Sequence, residues 1–196
     1  MTTNRTRSFA AVAAIAVGVS LTACSQDAET TPTAATSAVT STSSAAASTT
    51  EPVPTDSSDK TSAAGTESKL TVVDIRVGEH DGFDRVVYEM GGTGTPGWRV
   101  KYVDAATQEG SGKPVDIKGA AVIQVLIDGS AYPFDSGVEQ YSGPNPVPGV
   151  GGVVNEVNGS NVFEGVTQSF IGVTEKQPFT VTTLSDPPRV VVDVAR

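Results

Sequence analysis

Between Lys69 and Arg196, large apolar residues recur in short runs with a period of two, the spacing of strands that bury one face. Thr71, Val73, Ile75 and Val77 fall on one face of a first strand. After the loop Gly78-Glu79-His80-Asp81-Gly82, Val86, Tyr88 and Met90 alternate with Arg85, Val87 and Glu89. A glycine-rich turn over 91–97 leads to a third strand, with Trp98, Val100 and Tyr102 on one face and Arg99 and Lys101 on the other. Ala121–Ile127 is apolar on both faces, which predicts a central strand. Asn158-Gly159, lying between Val153–Val157 and the run from Val162, predicts a hairpin turn, because Asn-Gly readily takes positive φ. Phe163–Val173 then reads as one long strand with Gly165 and Gly172 as bulges. Phe179, Val181 and Thr183 alternate with Thr180, Thr182 and Leu184, and a turn at Ser185–Pro188 leads to a last strand with Val190, Val192 and Val194 inward. No window carries a helical period. The pattern predicts an all-β domain over 69–196, a β-sandwich of two mainly antiparallel sheets.

Two stretches stand outside the alternation. Asp104–Lys118 is polar and punctuated by glycine, and reads as loop. Gly129–Gly152 has no period, and Pro144, Pro146 and Pro148 keep it out of a sheet interior. It carries Tyr132, Phe134 and Tyr141, and packing accounts for it least. Asp84–Met90 and Pro188–Val194 share a layout in which an arginine precedes an acid by four residues. Arg85 and Glu89, and Arg189 and Asp193, therefore lie on outward faces.

Composition divides the chain before that domain begins. Of the 44 residues from 25 to 68, 30 are Ser, Thr or Ala, with no Leu, Ile or aromatic residue. Such a segment buries too little apolar surface to offset its ordering entropy, so it is expected to be a disordered linker. Its coil dimension is roughly 35–40 Å from the scaling of about 5–6 Å × √n. Ahead of it, Arg5 and Arg7 precede an apolar run from Phe9 to Val19, the layout of a signal peptide and too short to span a bilayer. Leu21-Thr22-Ala23-Cys24 then resembles the lipobox of bacterial lipoproteins. That resemblance implies cleavage before Cys24, a diacylglyceryl thioether on its sulfur and an acyl group such as palmitate on its amine. The expected organisation is a signal peptide over 1–23, a lipidated Cys24 with the linker over 24–68, and the β-sandwich over 69–196. The protein would then be extracytoplasmic and held to the cell membrane by lipid.

Charge and cysteine content narrow the function classes. The chain carries 13 Lys+Arg and 22 Asp+Glu for a net charge of −9, which is the wrong sign for a nucleic-acid partner. A single cysteine excludes an intramolecular disulfide, so the domain rests on its core.

Further residues carry a family resemblance. Leu70–Val77, Phe83–Tyr88 and Trp98–Tyr102 resemble the first half of AMIN-type domains. The ending Pro178–Val194, in which a leucine, a short turn, Pro188-Arg189, an apolar strand and Asp193 follow one another, resembles their recurrent signature. Phe163-Glu164-Gly165-Val166 is similar to a stretch of the AMIN-like domains of actinobacterial lipoproteins. The resemblance implies a non-catalytic β-sandwich that places its protein on peptidoglycan or at the division site. The chain departs from the compact pattern in its longer middle, 104–152, and no run of residues is left over for a catalytic domain.

Candidate chemistry is sparse. His80, the only histidine, lies between Glu79 and Asp81 without the further ligands that a metal site needs. No Gly-x-Ser-x-Gly element or second histidine supports a hydrolase triad, so neither a catalytic residue nor a cofactor is assigned. Tyr132, Phe134 and Tyr141 offer flat faces to sugar rings, and Arg85 and Arg189 could meet a carboxylate of a wall peptide. The same residues have structural readings, as aromatics that cap the core and arginines paired with Glu89 and Asp193 across strands. The favoured expectation is a lipid-anchored binding module that contacts peptidoglycan or an envelope protein. The alternative is a lipoprotein that carries a small apolar ligand between its sheets.

Overall fold

The computed structural model describes residues 51–196. The expected signal peptide, Cys24 and the linker as far as residue 50 lie outside the described residues. In chain order the elements are β1 (Lys60–Ser62), β2 (Lys69–His80), β3 (Phe83–Thr93), β4 (Gly97–Val103), β5 (Ala121–Asp128), α1 (Pro133–Ser136), β6 (Val147–Pro148), β7 (Val154–Phe163), β8 (Val166–Val173), β9 (Phe179–Leu184) and β10 (Arg189–Ala195). They make two antiparallel sheets, one of six strands in the order β1-β4-β5-β8-β7-β6 and one of four in the order β2-β3-β10-β9. The architecture is the all-β one that the alternation predicts, apart from α1. That single turn starts at Pro133 and ends at Gly137 with φ 77°, too short for any period to show.

The two sheets bury their apolar faces against each other. Val86, Tyr88 and Met90 of β3 and Val190, Val192 and Val194 of β10 share one core with Val100, Ile123, Val125, Ile127 and Ile171 of the larger sheet. These side chains occupy the space between the sheets, which removes the room that an apolar ligand held there would require. The polar groups that enter the core are satisfied. Tyr88 Oη donates to Ser169 Oγ at 3.0 Å, and Ser169 Oγ donates to the Asn158 carbonyl at 3.1 Å. Thr167 Oγ1 bonds Ser130 Oγ at 2.7 Å, which in turn donates to the Ile127 carbonyl.

The outer face of the larger sheet is covered in part, over β5, β7 and β8, while Arg99 and Lys101 of β4 stay exposed. Gln168 accepts from the Glu109 amide and donates to the Thr107 carbonyl. Glu156 accepts from the Lys118 amide at 2.9 Å, and Asn158 donates to the Asp116 carbonyl. Segment 104–120 thus lies over that face as a third layer, and Leu126 and Phe170 are buried beneath it. That cover explains why β5, between β4 and β8, is apolar on both sides.

Three expectations are corrected. In β2 the register shifts between Val72 and Asp74, so Val73 is an extra residue. Leu70 and Val72 face the core before the shift and Ile75 and Val77 after it, because one inserted residue exchanges the two faces of a period-two strand. Thr71 points the other way, where its Oγ1 donates to the Ala131 carbonyl at 2.8 Å. In the second correction, Asn158-Gly159 is not a hairpin turn. It lies inside β7 at a shift between Asn158 and Asn161, while Phe163 pairs with Val166. The turn is therefore Glu164-Gly165, with φ 49° and 79°, the two positive values that a tight hairpin needs. Positive φ serves a bulge as well as a turn, and the strand pairing decides which it becomes.

The third correction concerns residues 51–68, expected to belong to the disordered linker. β1 pairs with β4 through Lys60↔Val100 and Ser62↔Trp98. The Asp56 carbonyl accepts the Phe179 amide at 3.0 Å, the Gly65 amide donates to the Thr95 carbonyl, and Pro54 is buried. Backbone groups provide these contacts and leave no apolar pattern in the sequence.

Burial pushes the Tyr88 hydroxyl well above the ordinary tyrosine range. Above about pH 10 the unfolded chain gives up this proton while the fold holds it, so folding stability falls as pH rises. Tyr88→Phe is expected to cost about 1 kcal/mol at pH 7 and to flatten the alkaline loss of stability. Urea denaturation across pH 7–11 reads both effects.

Candidate functional site

The loop that follows β5 runs along the free edge of β2. Leu70 donates its amide to the Gly129 carbonyl at 3.1 Å, Ala131 donates to Leu70 at 2.7 Å, and Tyr141 donates to Val72 at 2.8 Å. Thr71 Oγ1 and Ser136 Oγ share a hydrogen bond of 2.6 Å beneath the loop, and Gln140 Nε2 donates to the Ser160 carbonyl. These bonds hold a segment that has no apolar period of its own.

The three aromatics of this loop separate into two roles. Tyr132 and Phe134 stack on each other, with ring centroids 5.5 Å apart and planes 8° apart. Pro133 between them begins α1 and fixes the backbone that sets the pair. Tyr132 is 41% exposed and Phe134 82%, the most exposed of the large apolar side chains among the described residues. Tyr141 packs against the core instead, and its hydroxyl donates to the Pro144 carbonyl at 2.9 Å. The structure therefore unites two of the expected contacts and assigns the third to packing.

Neither arginine joins them. Arg85 Nε and Nη2 bond the two oxygens of Asp193 at 2.7 and 2.8 Å, and Nη2 reaches Glu51 Oε1 at 3.0 Å. The hydrogen bond to Asp193, against the cost of burial, pushes the Arg85 pKa above its usual range, with Glu51 adding to the effect. Arg189 stands opposite Glu89 in register, yet its Nε donates to the Pro187 carbonyl at 3.2 Å. Glu89 is taken by Arg76 at 2.9 Å. The cross-strand reading holds for Arg85 with Asp193, while Arg189 serves the turn before β10.

One end of the sandwich carries a cluster that the alternation contains in outline. Asp84 shares the inward phase of Val86 and Tyr88 and is fully buried. Its carboxylate accepts the Val154 amide at 2.9 Å and Arg196 Nε at 2.7 Å, and Arg196 also reaches Glu79. An acid at an inward position of a strand is the signal for such a group. At the same end Glu51 lies between Arg85 and His80, 3.4 Å from the imidazole Nδ1, and His80 stacks on Phe83 at 4.9 Å. No sequence signal marks Glu51, which sits among Ser, Thr and Pro. Among the described residues no group of three or more His, Cys, Asp or Glu is placed to hold a metal ion. An open depression of about 400 Å³ is lined by Tyr102 and Lys176, whose Nζ lies 5.1 Å from the ring centroid. The Tyr102 hydroxyl is committed to Gln177, donating to its carbonyl and accepting from its amide.

A family model described as AMIN-like domain matches residues 70–196, from the start of β2 to the end of the fold. The chain belongs to the AMIN-like domain family. The AMIN-like domain is a non-catalytic, binding-type domain associated with envelope and peptidoglycan-related proteins. Comparison with curated proteins and with solved structures gives no match. The match begins after β1, so residues 51–62 add to the AMIN-like sandwich a segment that contacts both of its sheets. No helix among the described residues is long and apolar enough to cross a membrane.

The roles assigned to Arg85 and Phe134 differ in what their removal costs. Arg85→Ala leaves Asp193 buried without its partner and is expected to destabilise the fold by about 2–4 kcal/mol. Phe134→Ala removes an exposed ring and is expected to change stability by less than about 0.5 kcal/mol. Chemical denaturation of the two variants beside the parent chain measures both.

Proposed function

We propose that this chain is a lipid-anchored, non-catalytic module of the cell envelope that presents the Tyr132–Phe134 pair to the glycan strands of peptidoglycan. The observation that carries the reading is the exposed stacked pair at the opposite end of the sandwich from Glu51, where the described chain begins. Tyr132 and Phe134 lie beside the Thr71 end of β2, whereas Glu51 lies beside the His80 end. Nine residues of strand separate these ends, about 30 Å at roughly 3.3 Å per residue. A chain held by lipid on Cys24 would join the sandwich at the Glu51 end, which leaves the aromatic pair on the end remote from the attachment.

The chemistry fits a carbohydrate. Aromatic faces are apolar and rigid, and a pyranose ring offers a matching face of C–H groups. The pair keeps its geometry in the free protein because Pro133 and the bonds to β2 hold the loop, so little ordering is left to oppose binding. The net charge of −9 disfavours broad adsorption to anionic polymers and leaves recognition to a local contact.

Two measurements test the reading. Retention of the full chain in mild detergent on purified sacculi is expected to fall about tenfold for Tyr132→Ala/Phe134→Ala, with the fold intact by circular dichroism. Equal retention of parent and double variant would remove the aromatic pair from the reading. Cys24→Ser is expected to move the chain from the membrane fraction to the soluble one, and an unchanged distribution would remove the lipid anchor.

A further inference from the structure

The four strand edges of the two sheets are not protected alike. β1 and β6 close the larger sheet with three and two residues, and β6 contains Pro148. β2 is covered by the loop after β5 along its first half. Beyond the irregularity at Val73 it carries Asp74, Arg76 and Glu79. Short edges, proline, bulges and charge are the usual means of keeping an edge from pairing. β9 has none of them. Its sequence, Phe179-Thr180-Val181-Thr182-Thr183-Leu184, is uncharged and rich in β-branched residues.

The free part of this edge has defined limits. The Phe179 amide points away from β10 and donates to the Asp56 carbonyl. By the alternation of an antiparallel ladder, Val181 and Thr183 also direct their amides and carbonyls away from β10. Among the described residues no backbone partner meets Val181 or Thr183 on that side. Asp56 bounds the open window before it, and the turn from Ser185 bounds it after. What remains is Thr180–Leu184, with Thr182 at its centre and Leu184 39% exposed.

We infer that β9 is the pairing edge for a second copy of this chain, joined antiparallel across a two-fold axis at Thr182. In such a contact each residue meets its counterpart by symmetry, so a charge near the axis would face itself. Among the described residues β9 is the one edge with neither a charge nor a proline, since β1 carries Lys60, β2 is charged and β6 contains Pro148. With the axis at Thr182, Val181 stands opposite Thr183 of the second copy, and these are the residues whose bonding groups point outward. Thr180 then meets Leu184, and Thr182 meets Thr182 as a non-hydrogen-bonded pair. The two four-stranded sheets would continue as one of eight strands.

Disulfide trapping in the full chain tests this. In a Cys24→Ser background, Thr182→Cys supplies the sole thiol, and a non-hydrogen-bonded pair places its Cα atoms about 4.5 Å apart, within disulfide reach. Thr182→Cys is expected to form covalent dimer at least about tenfold faster than Thr66→Cys, an exposed residue in the turn before β2. Adding Val181→Pro, which removes an outward amide and leaves the β10 ladder, is expected to bring the rate down to that of Thr66→Cys. Equal rates at the two positions would overturn the proposal, as would adducts of the Thr182→Cys variant with other proteins in place of the dimer. The comparison of Thr182 with Thr66 decides even where the proline variant fails to fold.

Discussion

Every strand at the border of a sheet presents a row of amides and carbonyls that must find partners in protein or in water. This protein builds much of its irregular chain around that requirement. The loop after β5 gives its backbone to Leu70 and Val72, and residues 51–62 give theirs to β4 and Phe179. Neither segment has a hydrophobic pattern of its own. Each is ordered because a strand edge offers it hydrogen bonds, and the side chains it displays are thereby placed.

That placement separates the aromatics. Tyr141 is itself the residue whose amide bonds Val72, and its ring packs on the core. Tyr132 and Phe134 flank Pro133 at the single helical turn, which Ser136 ties to Thr71 of β2 while both rings stay exposed. A rigid apolar surface results without a cavity. Recognition of an extended polymer suits such a surface better than capture of a small molecule, which calls for a concave pocket. The filled space between the sheets points the same way.

Polar side chains take the place that disulfides hold in many secreted domains. Gln168, Glu156 and Asn158 fix the 104–120 layer through backbone groups, and Asp84 ties β3 to β7 and to Arg196. Among the described residues, no buried side-chain nitrogen or oxygen lacks a partner. Such fully satisfied networks define one arrangement of the loops, since any other would leave a buried group unpaired. The Arg85–Asp193 pair does the same between β3 and β10 and accepts Glu51 into the network, which fastens the start of the described chain to the sandwich.

Fold class and most strand positions were legible in the sequence, because a period of two with one buried face leaves a direct trace in residue types, while the family was carried by the motif resemblance of the Pro178–Val194 ending. Asp193 and Arg85 were also legible as a pair, since both occupy outward positions of apolar strands. Only the tertiary structure decided the phase of β2, the choice between Asn158-Gly159 and Glu164-Gly165 as the turn, and the order of residues 51–68. Each of these depends on which strand lies alongside, and backbone hydrogen bonding is blind to side-chain identity. For the same reason the exposure of Tyr132 and Phe134 could not be read from their neighbours in the chain. It follows from the edge of β2 on which their loop rests.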